Sequence, residues 1–320
     1  MRLCRFSFDG MILTGFYGDK AVIPLDQAAE AYSRDTGVEL LLPSTEDLLD
    51  LLPPDGCSYE LARDLDAWVN ELDLIARDEL TVNLQDVQLL VPIASPPKLL
   101  FLAGNYAQHI AERGETAAER QATIPYVFSK PPSTTLTHPG EPILLPRISP
   151  DHIDWECELG VVIGGHCRSI PEKEALNYVA GYTVVNDVSD RSFKPNPGRT
   201  PRERDKFFDW LHGKWHDTFC PMGPCIISAD AVKNPQNLPI KLTVNGQIKQ
   251  DGTTADMIFP VASIISFISQ FVTLEPGDVV ATGTPSGVGS ATGSYLKAGD
   301  VVRATILPIG TLENPVEAEG

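Results

Sequence analysis

The segment that most constrains this chain is DWECELGVVIGG at 154–165, because it sets acidic residues into what otherwise reads as a buried strand. In an extended chain successive side chains alternate faces. Trp155, Cys157, Leu159, Val161 and Ile163 therefore line one side while Glu156 and Glu158 share the other. Residues two apart on a strand lie roughly 6.5–7 Å apart, close enough for their carboxylate oxygens to converge. Burying two such anions is costly unless a proton, a basic group or a metal cation compensates. The same alternation also suits the solvated face of an edge strand, and spacing alone leaves both readings open.

A third acid follows in GYTVVND at 181–187, a short β-branched strand that ends in Asp187. Glu156, Glu158 and Asp187 make an all-oxygen set without His or Cys. Such a set suits Mg²⁺ or Mn²⁺, with Ca²⁺ also admissible, better than zinc.

The chain is long enough for two domains, at 320 residues. Pro92, Pro96 and Pro97 disfavour regular structure and mark a linker over 91–97, between a small N-terminal α+β domain at 1–90 and a catalytic domain at 98–320. In the first region, 3–8 alternates like a strand, 17–20 reads as a turn before 21–25, and Asp26 stands as the cap of a helix over 27–32. Ser44 with Asp47 resembles a capping box opening a helix over 45–52, and a third helix is expected over 59–72.

Beyond the linker, 98–103 reads as a buried strand stopped by Gly104, followed by a short helix over 105–113 that sets His109 and Glu112 three apart on one face. The proline-interrupted basic stretch 194–206 reads as a surface loop. Asn245-Gly246 marks a two-residue hairpin, and Pro260 opens an apolar helix through Phe271. Strands outnumber helices and no regular βαβ array is present, which argues against a doubly wound nucleotide-binding sheet.

A net charge of −18 argues against nucleic acid and anionic membranes as partners, since affinity for phosphate comes from clustered Lys and Arg. The beginning of the sequence lacks a signal-peptide core and no apolar run reaches membrane-spanning length, so a cytoplasmic protein is expected. The six cysteines show no C-x-x-C spacing and are expected as reduced, mostly buried thiols.

Five pieces occur together and in order: DWECELGVVIG at 154–164, NDVSDR at 186–191, Gly213-Lys214, Val244-Asn245-Gly246 and TGTPSGVG at 282–289. This ordered set resembles the fumarylacetoacetate hydrolase family over roughly residues 97 to 310. The resemblance implies a β-rich α+β fold, with a mixed β-roll or sandwich as the catalytic domain, and favours the metal reading of Glu156, Glu158 and Asp187. It implies a homodimer and a small anionic 2-oxo or 2,4-dioxo acid as substrate. By resemblance, NYAQHIAE at 105–112 is the lid-helix motif, with Tyr106 toward substrate and His109 and Glu112 as a catalytic pair. Lys214 is expected on substrate or ion-bound water, Arg191 on substrate, and Lys130 in a binding or structural role.

Gly283 and Thr284 are expected to offer backbone amides to a carboxylate or oxyanion. The sequence departs from the family at Lys194, where glutamine is common, and this leaves the substrate open. His212 and His216 flank Lys214, and neither they nor His152 and His166 show a partner pattern.

A 2-oxo acid chelates a divalent ion through its carboxylate and keto oxygens, which polarises the carbonyl and stabilises the enolate. The leading expectation is therefore hydrolytic cleavage of a carbon–carbon bond in a 2,4-dioxo acid, an acylpyruvate or a fumarylacetoacetate-like one. A β-keto acid decarboxylase or a dienoate isomerase or hydratase uses the same starting arrangement. A non-catalytic β-sandwich holding structural Ca²⁺ is the reading from another class.

Overall fold

A computed structural model describes residues 1–42, 47–112, 114–118 and 120–320. The protein is a sheet-rich α+β molecule in which, among the described residues, strands outnumber helices and no sheet closes into a barrel. The larger sheet runs from Val82–Asn83 through the N-terminal strands Ala21–Pro24, Met11–Tyr17 and Arg2–Phe8 to Cys220–Ser228, Val179–Asn186, Cys157–Ile163 and Val279–Ala281. It ends on Leu99–Ala103 and Tyr126–Ser129. A second sheet comprises Gln247–Thr253, Pro239–Val244, Val301–Ile306, Gly310–Ala318 and Ile143–Leu145.

The acidic strand Cys157–Ile163 lies inside the larger sheet, antiparallel to neighbours on both sides, and all seven of its residues are buried. The solvated-edge reading is thereby excluded. Alternation sorts its side chains as expected: Trp155, Cys157, Leu159, Val161 and Ile163 join one core, which also holds Ile240, Leu242, Val302 and Ile306 of the second sheet. Val162 points into the opposite core with Ala28, Leu48, Leu65 and Val69. Helices Leu25–Thr36 and Tyr59–Glu71 thus cover the face of the sheet to which Val162 and, by alternation, the acids belong, farther along from the acids themselves. Residues 1–90, expected as a small separate region, share a sheet and a core with the rest of the chain.

Several local expectations shift. The first helix is Leu25–Thr36 with Pro24 at its N-cap, so Asp26 lies in the first turn instead of capping it. Proline's fixed φ suits the start of a helix, and an acid within the first turn still complements the helix dipole. The expected capping box at Ser44, with its helix from Thr45, falls partly outside the described residues. Asp47 itself caps a 3₁₀ turn, Leu48–Leu51. The helix expected over 105–113 is Ala107–Glu112, and Arg113 lies outside the described residues.

The Asn245-Gly246 hairpin is present, with φ of 52° and 76°, and the apolar helix after Pro260 spans Val261–Ser269. Helix Asp205–His212 was not anticipated. The basic loop before it is tied down by Arg199, 3.0 Å from Asp205 and 2.5 Å from Asp209. All six cysteines are free thiols and five are buried, Cys57 being exposed. Among the described residues no helix is long and apolar enough to cross a membrane.

Candidate active site

Antiparallel pairing brings the three acids together. Cys157 faces Asn186 and Glu158 faces Val185, so the start of one strand lies beside the end of the other. Asp187, one residue past its strand, then falls opposite Glu156. Its N–H donates to the Glu156 carbonyl at 2.8 Å, and the Asn186 side chain accepts the Glu156 N–H at 2.9 Å. One carboxylate oxygen from each of Glu156, Glu158 and Asp187 lies within 4.8 Å of the others, and all three residues are buried.

The acids are surrounded by cations held in fixed places. Lys214 Nζ donates to Glu156 Oε2 at 2.8 Å and to Asp187 Oδ2 at 2.5 Å, beneath the rings of Phe128 and Trp210. Burial pulls its pKa down, but the Asp187 and Glu156 carboxylates more than offset this, and the net direction is up. Arg191 donates to Asp154 at 2.8 Å and to Glu156. Lys130, fully buried, donates to the carbonyls of Val188 and Phe219 at 2.9 and 2.5 Å and lies 2.5 Å from Asp187 Oδ1.

Glu158 differs from its neighbours. Among the described residues no cation lies within ion-pair distance of it, and it accepts the Gly283 N–H at 2.7 Å. Burial, then Asp187, then Glu156 hold its carboxyl well above the usual range.

These residues fit a hard divalent cation. The donor set is all oxygen, Glu158 is a buried acid without a cationic partner, and Asp187 Oδ1 receives no well-aligned hydrogen bond although Lys130 is near. Asp154, Glu156, Glu158 and Asp187 outnumber Arg191, Lys130 and Lys214 by one negative charge. Glu158, the acid without a cationic partner among the described residues, is the one whose negative charge a divalent ion would compensate, and the ion would leave the cluster net positive toward an anionic ligand.

His109 reaches the same place from the short helix Ala107–Glu112. The residue before that helix, Tyr106, and Asn105 anchor it: the Asn105 side chain donates to the carbonyls of Phe259 and Thr282 and accepts the Phe259 N–H. His109 is 3% exposed, its Nδ1 lies 3.3 Å from Glu112 Oε2, and Glu112 Oε1 accepts the Gly287 N–H at 2.7 Å. A cavity of about 20 Å³ is lined by His109, Glu156, Glu158, Lys214, Trp210 and Thr284, among others. It has room for a single water or ion.

Some expected residues take other partners. Gly283 spends its N–H on Glu158, so it orients a carboxylate of the acid cluster. Gly283 has φ of 88°, and a Cβ there would meet Asn105 at 2.9 Å. The Thr284 hydroxyl donates to the Cys157 carbonyl at 2.9 Å and accepts from Gln250 at 2.8 Å. Arg191 is bound to acids of the chain itself, and Lys130 supports Asp187 from outside the cavity lining. The Tyr106 hydroxyl is buried without a hydrogen-bond partner among the described residues, and burial followed by the charge of Glu158 raises its pKa. His216 lies 3.5 Å from the buried Asp190 carboxylate, not in the cavity, and His212 stacks near Phe208 and Trp215.

Two residues of the site went unassigned from sequence. Asp154 is fully buried and gathers Arg191 with the N–H groups of Trp155, Gly289 and Ser290. Its position two before Glu156 puts it on the same alternating face, a signal that was available. Gln250 ties Cys157 to Thr284 and Pro285 from a distant strand, with no local signal to reveal it.

Residues 98–317 match the family model described as the fumarylacetoacetate hydrolase C-terminal domain. The chain is 40% identical over 233 residues to a mitochondrial oxaloacetate tautomerase of Xenopus laevis, covering 72% of this chain and 69% of that protein. It is 43% identical over 229 residues to 2,4-didehydro-3-deoxy-L-rhamnonate hydrolase of Sphingomonas sp. (strain SKA58), covering 71% and 75%. The maleylpyruvate hydrolase of Sphingobium sp. SYK-6, solved with manganese(II) and pyruvate, superposes with a TM-score of 0.71 at 27% identity, over 100% of both chains.

Proposed function

The chain belongs to the fumarylacetoacetate hydrolase family, and from that membership we propose that it is a divalent-metal-dependent hydrolase of a 2,4-dioxo acid, cleaving the bond between C3 and C4. The observation that carries this reading is that Glu156 and Glu158, gathered with Asp187 into one acid cluster, share a small cavity with His109. Mg²⁺ or Mn²⁺ held by those three carboxylates would supply a Lewis acid for a chelating 2-oxo acid.

The chain's own groups account for the proton transfers. Glu112, pinned by Gly287 N–H, orients His109 through Nδ1, and Nε2 is the ring nitrogen assigned to take a proton from water. The water oxygen attacks C4, the C3–C4 bond breaks toward C3, and the proton taken by His109 returns to C3. The products are a carboxylic acid and pyruvate. Lys214 holds Glu156 and Asp187 in place, Arg191 holds Glu156 together with Asp154, and the buried Tyr106 hydroxyl is a donor for a substrate oxygen.

A second reading is a tautomerase on the same site, favoured by the 40%-identical relative of that name. It needs only proton transfer at C3 by His109. Product analysis separates the two: full-length protein with Mn²⁺ is given an acylpyruvate and, separately, oxaloacetate. Release of pyruvate and the matching carboxylic acid from the acylpyruvate, lost in His109→Ala, supports hydrolysis. Keto–enol interconversion of oxaloacetate with no cleavage of the acylpyruvate overturns it in favour of the tautomerase.

A further inference from the structure

The stretch 194–206 carries five basic residues against two acids, in a chain whose net charge is −18. Two of the five are neutralised locally: Arg199 pairs with Asp205 and Asp209, and Arg202 pairs with Asp205. Lys194, Arg204 and Lys206 are exposed, and among the described residues no acid pairs with them. Glu203 is the one acid of the stretch left uncommitted beside them.

The stretch is fastened beside the acid cluster. Just before Lys194, the Phe193 ring meets the His216 ring at 4.9 Å between centroids, and its Cβ lies 3.3 Å from where a Cβ on Gly213 would stand. Farther on, Arg199 grips helix Asp205–His212, which carries Trp210 into the lining of the acid cavity and leads directly to Gly213 and Lys214. Lys206 and Trp210 line a hollow of about 890 Å³ that shares Ala103 and Trp210 with the acid cavity. Arg204 and Lys206 flank the N-terminal end of that helix, where the backbone dipole disfavours cations, so helix stability does not account for them.

Position counts for more than total charge. At about 0.1 M salt, exposed charges more than roughly 10 Å apart are largely screened, so an arriving anion responds to the groups nearest the opening. Uncommitted cations there raise the local concentration of an anion that the rest of the surface repels.

We propose that 194–206 is an anion-collecting rim, in which Lys194, Arg204 and Lys206 speed the arrival of the anionic substrate at the acid cavity. This rests on the reading of the site as a 2-oxo acid site, and adds the means by which a strongly acidic chain admits such a substrate.

The test uses the full chain loaded with Mn²⁺, with oxalate as a chelating dianion. Association is followed by stopped-flow tryptophan fluorescence, since Trp210 lines the cavity, at about 0.02 M and about 0.5 M salt. The triple variant Lys194→Gln, Arg204→Gln, Lys206→Gln removes three exposed charges and breaks no ion pair. At low salt the wild-type chain is expected to associate about three- to tenfold faster than this variant, with the gap closing at high salt and the dissociation rate unchanged. A remote triple, Lys20→Gln, Lys173→Gln, Lys233→Gln, removes the same charge elsewhere. Lys20 lies at the turn before Ala21–Pro24, and Lys173 and Lys233 lie toward the end of strand Val179–Asn186 opposite Asp187. It is expected to associate within about twofold of wild type. Equal association of the rim variant and the wild type at low salt overturns the inference, and so does an equal slowing in the remote triple. A gap that persists at high salt overturns steering in favour of direct contact. Each of these results leaves the 2-oxo acid reading standing, whereas failure of the wild-type chain to bind oxalate overturns that reading and this inference with it.

Discussion

Asp187 donates its backbone N–H to the carbonyl of Glu156 at 2.8 Å, so two of the three clustered acids are held by the main chain before any side chain is considered. Sheet pairing therefore builds the acid cluster, and the cost of bringing like charges together is met by the stability of two buried strands. The metal-free protein should fold with the cluster already assembled.

The first prediction concerns that charge. Burial and the neighbouring acids raise the Glu158 pKa, so the metal-free site holds a proton that an ion must displace. Ion affinity should rise with pH above the ordinary Glu range, with proton release on binding, and fall as the pH is lowered. Mn²⁺ calorimetry across pH in buffers of different ionisation heat measures this. Glu158→Gln should bind Mn²⁺ more weakly and release fewer protons, and equal release from both proteins would refute the assignment.

His109 and Glu112 divide orientation from proton transfer. His109→Ala should lower kcat by about 10²–10⁴-fold with Mn²⁺ affinity retained. Glu112→Gln should cost less, since it removes the orienting charge and leaves the imidazole. Steady-state kinetics with Mn²⁺ titration of each variant checks both statements.

Lys214 is the cation that Glu156 and Asp187 share. Lys214→Met leaves a buried charge imbalance, expected to destabilise the metal-free protein by about 3–5 kcal/mol. Excess Mn²⁺ should recover part of this, because a divalent ion supplies positive charge in the same place. Urea unfolding in chelator and in Mn²⁺ gives the two values, and an equal loss under both conditions would count against the site as described.

Gly283 serves the site through its backbone. Ala at this position would hold an unfavourable positive φ and meet the Asn105 side chain, which anchors the His109 helix. Gly283→Ala should cost about 1–3 kcal/mol and lower activity beyond what the stability loss explains. Thermal unfolding and kcat/KM, compared with those of Gly140→Ala, where a Cβ meets nothing within 4 Å despite a similar positive φ, separate backbone strain from local contact.

Much of this site was legible because strand periodicity is a local property. The alternation at 154–163 identified which acids share a face and which apolar residues enter the core, and the acid at the end of the next strand pointed to Asp187. The spacing of His109 and Glu112 anticipated their hydrogen bond. Gln250 and Lys130 were harder to assign. Gln250 meets Cys157 and Lys130 meets Asp187 across distant segments, and no periodic pattern encodes such meetings. Helix Asp205–His212 was obscured by the prolines and basic residues before it, although Arg199 turns that stretch into an anchor for the helix.

The sequence by itself determined the faces: two acids side by side on one face of a strand, a third at a strand end, and a histidine and a glutamate three apart on a short helix. Only the tertiary structure decided that the acidic strand is interior, that its register sets Asp187 against Glu156, and that Arg191 and Gly283 are bound to the chain's own acids. The division follows from the physics. Side-chain alternation is imposed residue by residue along the backbone, whereas register and charge partners depend on which distant segments pack together.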